Sequence, residues 1–451
     1  MTSGAAETYR STAEAAWRWV LAQVRWDDGP WIPTSATTPE PTDAPAYRDG
    51  MHSGVGGLVH ALAEIRLARA WTVEEQALAD AVAQRLQDGL ADSTDVTYFD
   101  GLVSAIGVLT ALGAGGTDTA IGRLDVLATP DGWPQSELDG DPRYLPDARI
   151  NDVTLGSAGV LLGALWARRH GTVGARQLAE HAAGVLMAEA EQLPTGANWR
   201  FVPERYRTED RSEMPNFSHG LAGVAAALAV AGAELDRADL VDAARSGAEH
   251  LVTLADRTEP GFVVPRTFPR MQPDMDRVTY TWCHGPTGTS LLFAALDHAG
   301  VPEVAGASPR DWHRRCLYSV RTSGLPQRRH PGFWDNDGRC CGTAGVGDVV
   351  LDSWYRWGDD DELAFALLLA DTLVERAVRE GPHAYWRFIE HRAAEPLLPP
   401  GVGWMQGAAG IAAYLFRTSR VVEDPAAAAS VARMDTWWAL PPTGIVTGVG
   451  P

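Results

Sequence analysis

The sequence contains no lysine, so all 38 of its basic residues are arginines. Without lysine the chain cannot form a Schiff base, and it cannot supply the lysine of a P-loop or of a kinase strand. This argues against ATP-dependent phosphoryl transfer. The basic residues are also outnumbered by 58 acidic ones, which leaves a net charge of −20 at pH 7. Nucleic acids and anionic membranes require a basic surface, so neither is expected as a main partner.

Long apolar runs are missing as well. No stretch is apolar enough to span a bilayer, and residues 1–26 lack the apolar core and the cleavage site of a signal peptide. Cysteine is scarce, with four in 451 residues. Few cysteines and no export signal predict a reducing, cytoplasmic location. In that compartment, clustered cysteines more often bind metal or act in catalysis than form disulfides.

A repeated Gly-x-x-Gly motif, followed by small and apolar residues, is abundant instead. Its leading glycines are Gly54, Gly101 (a degenerate copy without the second glycine), Gly156, Gly220, Gly285, Gly342 and Gly407. Spacings of 47 to 65 residues between successive leading glycines predict a repeated supersecondary unit. The stretch "LAGVAAALAVAGAEL" after Gly220 predicts a buried helix, and residues 236–255 predict an amphipathic one. Strand patterns are scarce, so the chain is expected to be all-α and built of helical hairpins.

The glycines are expected where a loop enters each buried helix, because glycine permits a positive φ and a close approach of the backbone. Seven such helix starts would gather at one end of a barrel. The residues just before each motif would then line its mouth. These residues are His52, Ser53, Asp100, Asp152, His219, Cys283, His284, Cys340, Cys341 and Gln406.

Three of the four cysteines occupy these convergent positions. Three thiolates suit zinc, and a three-ligand site leaves the fourth position open for catalysis. The spacing of the cysteines alone fits buried, inert thiols equally well, because it is not a zinc-finger spacing. Their shared position in the repeat favours a metal site. Cys316 lies between two motifs and is predicted to be an ordinary buried thiol.

The motifs "NDVTLGSAG", "SHGLAG", "WCHGPTG" and "CCGTAG", in that order, resemble those of the lanthionine synthetase C-like (LanC-like) cyclases. The resemblance covers nearly the whole chain and implies a single domain over residues 1–451. It implies an α/α toroid of seven helical hairpins with a zinc ion near its centre. Enzymes of this family add a peptide cysteine thiol to dehydroalanine or dehydrobutyrine, which closes a (methyl)lanthionine thioether ring.

The resemblance also implies the site residues. The Zn²⁺ ligands would be Cys283, Cys340 and Cys341, and the acid/base group would be His219 with the aspartate Asp152. His284 would be either a second acid/base group or a hydrogen-bonded lining residue.

Two positions depart from the family pattern. Cys341 stands where histidine is the commoner third ligand, as in a subset of the family. Thr279 stands where some members have arginine, and Arg277 lies nearby. A role for arginine in this site is therefore not supported by the motif.

The chemistry accounts for these residue types. A free thiol is mostly protonated at neutral pH, and coordination to zinc deprotonates it. Attack on the double bond gives an enolate that must be protonated at Cα, a step that suits a histidine oriented by a carboxylate. Two simpler interpretations remain: His219 as a capping or packing residue, and Asp152 as a helix N-cap.

The chain has no kinase-like, lyase-like or dehydratase-like sequence. The resemblance therefore implies a dehydrated precursor peptide as substrate and a separate dehydratase protein. Two other functions stay open. One is a zinc-holding LanC-like protein that binds modified peptides, or adds glutathione to them, without ring closure. The other is a glycan-active α/α-barrel enzyme that uses Asp100 and Asp152 as its two carboxylates, which leaves the cysteines unexplained.

Overall fold

The computed structural model describes residues 3–36, 45–135, 138–209, 212–256, 260–269, 277–327, 336–389, 397–425 and 433–434. Its α-helices are α1 (Ser3–Gln23), α2 (Pro45–Asp49), α3 (Val55–Ala68), α4 (Val73–Gly89), α5 (Leu102–Leu112), α6 (Thr117–Leu127), α7 (Ser157–Arg169), α8 (Ala175–Ala188), α9 (Leu221–Leu235), α10 (Ala238–Leu254), α11 (Pro286–His298), α12 (Pro309–Arg321), α13 (Thr343–Trp357), α14 (Asp360–Arg376) and α15 (Ala408–Glu423). Among these helices, none is both long enough and apolar enough to cross a bilayer.

Strands are few and short in the described residues, as predicted. They form three antiparallel pairs: β1 (Glu191–Leu193) with β2 (Gly196–Asn198), β3 (Val378–Glu380) with β4 (His383–Tyr385), and β5 (Phe388–Ile389) with β6 (Leu397–Leu398). The predicted all-α toroid is therefore confirmed.

The odd-numbered helices from α3 to α15 form the inner ring. Each of α3, α5, α7 and α9 packs against the next inner helix, and α15 packs against both α13 and α3. Every residue of α9 from Leu221 to Gly232 is buried. Small residues allow these helices to approach closely, and the apolar surface that they bury stabilises the fold by about 25 cal/mol per Å².

The even-numbered helices from α4 to α14 form an outer layer. Each follows its inner helix in the chain and packs against it. In α10 the buried residues include Leu240, Ala244, Ala248 and Leu251, which lie on one face at spacings of three and four residues. The predicted pair of one buried and one amphipathic helix is confirmed for these six units.

The seventh unit differs from the predicted order. The outer partner of α15 is α1, from the opposite end of the chain. The Tyr9 hydroxyl donates to Asp371 Oδ1 at 2.5 Å, and the Ser419 hydroxyl donates to the carbonyl of Ala6 at 2.8 Å. The ring is thus closed by contacts between residues more than 350 positions apart, which the local pattern of α15 could not reveal.

Each leading glycine of the motif is the N-cap residue of an inner helix, as predicted. The expectation of a positive φ is wrong, since φ at these seven glycines lies between −91° and −155°. Close approach is the reason for glycine. A Cβ on Gly220 would lie 1.6 Å from the Met214 carbonyl oxygen, and one on Gly345 would lie 1.8 Å from that of Arg339. The preceding loop therefore packs directly on the helix start.

Candidate active site

Three cysteines from two loops meet at the starts of α11 and α13. Cys341 Sγ lies 3.3 Å from Cys283 Sγ and 3.3 Å from Cys340 Sγ. All three sulfurs lie within 4.8 Å of one another. Although Cys340 and Cys341 are adjacent in the chain, both side chains reach the same cluster. The structure therefore brings together the three predicted metal ligands.

The donor set of this cluster fits zinc. Ligands at the usual Zn–S distance of about 2.3 Å in a tetrahedral site stand roughly 3.8 Å apart, which is close to the observed separations. Thiolates select zinc over the hard cations Mg²⁺ and Ca²⁺. All four cysteines, which lie in the described part of the chain, are free thiols, so no disulfide competes for these sulfurs.

The three thiols are hydrogen-bonded to one another, and these hydrogen bonds shift their pKa values in opposite directions. Hydrogen bonds from Cys340 and Cys341 lower the pKa of Cys283 well below its usual value. The bond to Cys283 raises the pKa of Cys340 and of Cys341. The cluster therefore favours one thiolate shared through hydrogen bonds, and ionisation of all three thiols requires additional positive charge. A bound divalent cation would provide that charge.

His219 and Asp152 form a hydrogen-bonded pair at the neighbouring wall. His219 Nδ1 lies 2.6 Å from Asp152 Oδ2, and the Thr154 hydroxyl donates to the same carboxylate oxygen at 2.7 Å. A carboxylate oxygen can only accept, so Nδ1 of His219 carries the hydrogen and Nε2 is left for another partner. The His219 side chain is 28% exposed, whereas Asp152 is fully buried. The histidine thus faces solvent with the carboxylate behind it.

Asp152 is not the N-cap that the simpler interpretation required. The N-cap of α7 is Gly156, and no side chain caps that helix. The second carboxylate oxygen of Asp152, Oδ1, accepts from the backbone N–H of Leu155 at 2.7 Å. One oxygen therefore shapes the loop while the other holds His219.

The loop of His219 is joined directly to that of the thiols. Both the backbone N–H and the hydroxyl of Ser218 donate to the Cys283 carbonyl, at 3.1 and 2.9 Å. The rings of His219 and His284 lie 5.5 Å apart between centroids. The predicted acid/base residues and the predicted ligands therefore share one site.

His284 is buried beside both groups. Its Nδ1 is a buried atom without a hydrogen-bond partner among the described residues. Burial lowers the pKa of His284 to about 4, and the charges of His219 and Arg266 also lower it, against the opposing charge of Cys283. The ring is neutral at pH 7, so one of its nitrogens can accept a hydrogen bond.

The arginine near this site is not Arg277. The Arg277 side chain is 57% exposed and pairs with Asp256 at 3.0 Å. Arg266 is instead the cation whose charge acts on His284. Arg266 lies between two motifs, in a loop without a repeat position, so the motifs gave no signal for it.

Three further residues interact with Cys283 or Cys340. The Thr281 hydroxyl lies 3.5 Å from Cys283 Sγ, and Gln406 hydrogen-bonds Cys340. Burial lowers the pKa of His52 to about 4, with the charge of Cys283 acting in the opposite direction. His52 and Gln406 each stand just before a glycine motif, and this position in the repeat predicted that they would lie at the mouth. Threonine at positions 154 and 281 carried no such signal, since its hydroxyl also serves ordinary loops.

The comparisons agree with this architecture. The family model for "Lanthionine synthetase C-like protein" matches residues 45–425. No curated protein sequence matches the chain. Among solved structures, nisin cyclase is 11% identical, with a TM-score of 0.56 over 88% of this chain and 93% of that one. The Lin0763 protein from Listeria innocua is 10% identical, with a TM-score of 0.52 over 92% and 98%. At these identities the structures support the fold, and the family model shows that the chain belongs to the lanthionine synthetase C-like family.

Proposed function

We propose that this protein is a zinc-dependent lanthipeptide cyclase, which adds peptide cysteine thiols to dehydroalanine or dehydrobutyrine and so forms thioether rings. The proposal rests on one observation: two chemically different groups of side chains lie on loops that are hydrogen-bonded to each other. A three-thiol cluster and a His219–Asp152 pair are linked by the hydrogen bonds of Ser218 to the Cys283 carbonyl. Thiol addition needs one group that deprotonates the sulfur nucleophile and another that transfers a proton to Cα.

The cysteines would hold the metal. A zinc ion held by Cys283, Cys340 and Cys341 would supply the Lewis acidity that lowers the pKa of a substrate thiol, and three anionic ligands would keep the resulting thiolate nucleophilic. The buried positions of Cys283 and Cys341 limit competition from water.

His219 would transfer the proton from the substrate thiol to Cα. As the bond between sulfur and Cβ forms, the C=C electron pair moves toward the carbonyl and leaves an enolate. The proton released by the substrate thiol is first taken up by His219 Nε2, and Nε2 then passes this proton to Cα, so the addition is balanced. Asp152 and Thr154 hold Nδ1 and set the direction of the ring.

His284 would line the same site. Its Nδ1 lacks a partner among the described residues, and its ring lies beside that of His219. We assign it the binding of a polar group of the peptide next to the reacting residue. We further propose that a separate dehydratase supplies the dehydrated peptide and that the reaction takes place in the cytoplasm.

A glycan-active enzyme is less well supported. Such an enzyme needs two carboxyl groups that face the sugar. Asp152 is fully buried, and both of its oxygens are engaged, by Leu155 on one side and by Thr154 and His219 on the other. This carboxylate is therefore committed to the histidine.

The experiment combines metal analysis with a thiol count. Purified protein is assayed for zinc and incubated with a dehydrated peptide that contains cysteine, with and without glutathione. Free peptide thiols are then alkylated and counted by mass spectrometry. A cyclase consumes thiols without a change in peptide mass. A glutathione-adding protein increases the mass by one glutathione, a binder retains the peptide unchanged, and full activity without metal would contradict the zinc proposal.

A further inference from the structure

A network of charged side chains is buried beside the loop that carries two of the thiols. Arg339, Asp348, Arg417, Arg433 and Glu64 each have 3% or less of their side chain exposed. Arginine is almost never buried to this degree unless it is paired, because its charge must be removed from water. Such a network therefore has a specific geometry to maintain, since a broken pair leaves an uncompensated charge.

The network joins three inner helices to two loops. Arg339 pairs with Asp348 of α13. Asp348 Oδ1 also accepts from Arg417 of α15 at 2.8 Å, and Arg433 donates to Glu64 of α3 at 2.7 Å. Parts of the chain that are distant in sequence are thus held in one arrangement.

Trp404 lies between two of these arginines. The guanidinium carbon of Arg339 is 4.2 Å from the centroid of the Trp404 ring, and that of Arg433 is 4.9 Å from it. Both distances fall within the range of a cation–π contact. Arg339 therefore has two partners in the core, a carboxylate and an aromatic face.

Arg339 is also the residue immediately before Cys340. The backbone N–H groups of Arg339 and Cys340 both donate to the carbonyl of Met405, at 2.8 and 2.9 Å. The absent side chain of Gly345 leaves room for the Arg339 carbonyl against the start of α13. The residue is thus held by its side chain from inside the ring and by its backbone from the neighbouring loop.

We infer that Arg339 is a positioning residue of the thiol cluster. Its buried pairing with Asp348 and its contact with Trp404 hold the loop so that Cys340 and Cys341 both reach Cys283. The inference deepens the proposed function, because it rests on the metal site proposed there. It explains how two adjacent cysteines at a helix start can serve one site.

Lysine at this position tests the inference with little change in volume. A lysine ammonium keeps the charge but lacks the planar fork that pairs with a carboxylate while stacking on a ring. We expect Arg339→Lys to weaken zinc affinity by roughly 10- to 100-fold, the usual effect of losing a residue that orients metal ligands. Asp348→Asn, which removes the partner charge and keeps the shape, should act in the same direction.

Arg69→Lys is the matched control. Arg69 also pairs with a buried carboxylate, that of Glu75, and additionally with Glu14, but it stands at the end of α3 away from the thiol loop. Zinc affinity is measured for each variant by competition with a chelator, and thermal unfolding is measured alongside. The expected result is weaker zinc binding in the Arg339 and Asp348 variants only, even where all three variants lose similar thermal stability.

A second measurement works without metal. In the chelator-treated protein, Cys340 and Cys341 should be alkylated by iodoacetamide faster in Arg339→Lys than in the wild type or in Arg69→Lys, because a released loop exposes its thiols. Wild-type affinity together with unchanged alkylation in both the Arg339 and Asp348 variants would overturn the inference. A wild-type protein that binds no zinc would instead overturn the proposed function, while the alkylation rates would still decide the role of Arg339.

Discussion

Two buried regions of this molecule contain the same pair of residue types. At the mouth, Cys283 stands next to His284. In α12, on the outer layer, His313 and Cys316 lie one turn apart. Burial lowers the pKa of both histidines to about 4. Residue type, burial and acidity of the histidine thus do not distinguish the two regions.

The hydrogen-bond partners of the two histidines distinguish the two regions. His313 Nδ1 lies 2.9 Å from the Ser290 carbonyl oxygen, and its Nε2 lies 2.8 Å from the Ser353 hydroxyl, so both ring nitrogens are used. His284 has a buried Nδ1 without a partner in the described residues. Buried polar groups in a stable core are normally satisfied, so the unsatisfied nitrogen is the feature of His284 that fits the binding role proposed for it.

The cysteines differ in the same way. Burial raises the pKa of Cys316 well above its usual value, and this thiol lies outside the cluster. Hydrogen bonds from two further cysteines lower the pKa of Cys283. The comparison teaches that a buried thiol becomes a ligand candidate through its neighbours and not through its own position.

The largest expected effect comes from breaking the thiol cluster. Cys283→Ala should abolish stable zinc binding and lower the cyclisation rate by at least about 10³-fold, since a metal contributes several kcal/mol to such a step. Zinc content and thiol consumption measure both. Cys316→Ala is the control from α12 and should keep its zinc, at a cost of about 1 kcal/mol in stability. Full zinc occupancy in Cys283→Ala would contradict the ligand assignment.

The next effect concerns the proton. His219→Ala should keep zinc and fold but lose about 10²- to 10⁴-fold in cyclisation rate, or lose the stereochemical control at Cα, because protonation would then depend on solvent. Chiral analysis of the ring product and the thiol count test this. Near wild-type turnover with correct stereochemistry would reject the role of His219.

A smaller effect is expected when the third ligand, Cys341, is exchanged for histidine. Cys341→His should retain zinc, because imidazole also binds it well, but should cyclise more slowly because the site then carries one less negative charge. Cys341→Ala should bind zinc poorly. Should Cys341→Ala keep full zinc and full activity, the third ligand must be sought elsewhere, and His284 would be the first residue to test.

The smallest expected effect is on the free energy of unfolding at low pH, and it comes from His313 of α12. The unfolded His313 takes up a proton below about pH 6.5, whereas the folded one does so only near pH 4. The free energy of unfolding should therefore fall by up to about 3 kcal/mol from this residue as pH drops from 6.5 to 4.

His313→Gln should remove that part of the pH dependence. Urea unfolding of the metal-free protein at pH 7 and pH 4 measures it. His284 and His52 shift in the same direction, so some dependence on pH will remain. An identical loss of stability in the variant and the wild type would show that His313 is not responsible.

Much of this site could be predicted from the sequence, for a local reason. The start of a helix is specified within a few residues, so the glycine motifs located the seven inner helices and the residues before them. The predicted positions of Asp152, His219 and Cys283 then followed from the shared repeat. The explanation by positive φ failed because loop packing against the helix, and not backbone conformation, selects glycine there.

Other features depended on contacts between distant parts of the chain. Nothing in the sequence of α15 indicates that α1 is its outer partner, or that Arg433 reaches Glu64. Thr154 and Arg266 acquire their relation to the site only through the packing of loops from different units. The anchoring of Arg339 likewise needs Asp348 and Trp404, which belong to different helices or loops.

The helical repeat, the family and the residue types that gather at one end are thus legible in the amino-acid order alone, because periodicity and helix starts are local properties. Which of these side chains touch, and which lack a partner among the described residues, depends on how the units pack together. Hydrogen bonding and burial depend on positions in space, so two Cys–His pairs that are equivalent in composition became a core contact in one place and a candidate active site in the other.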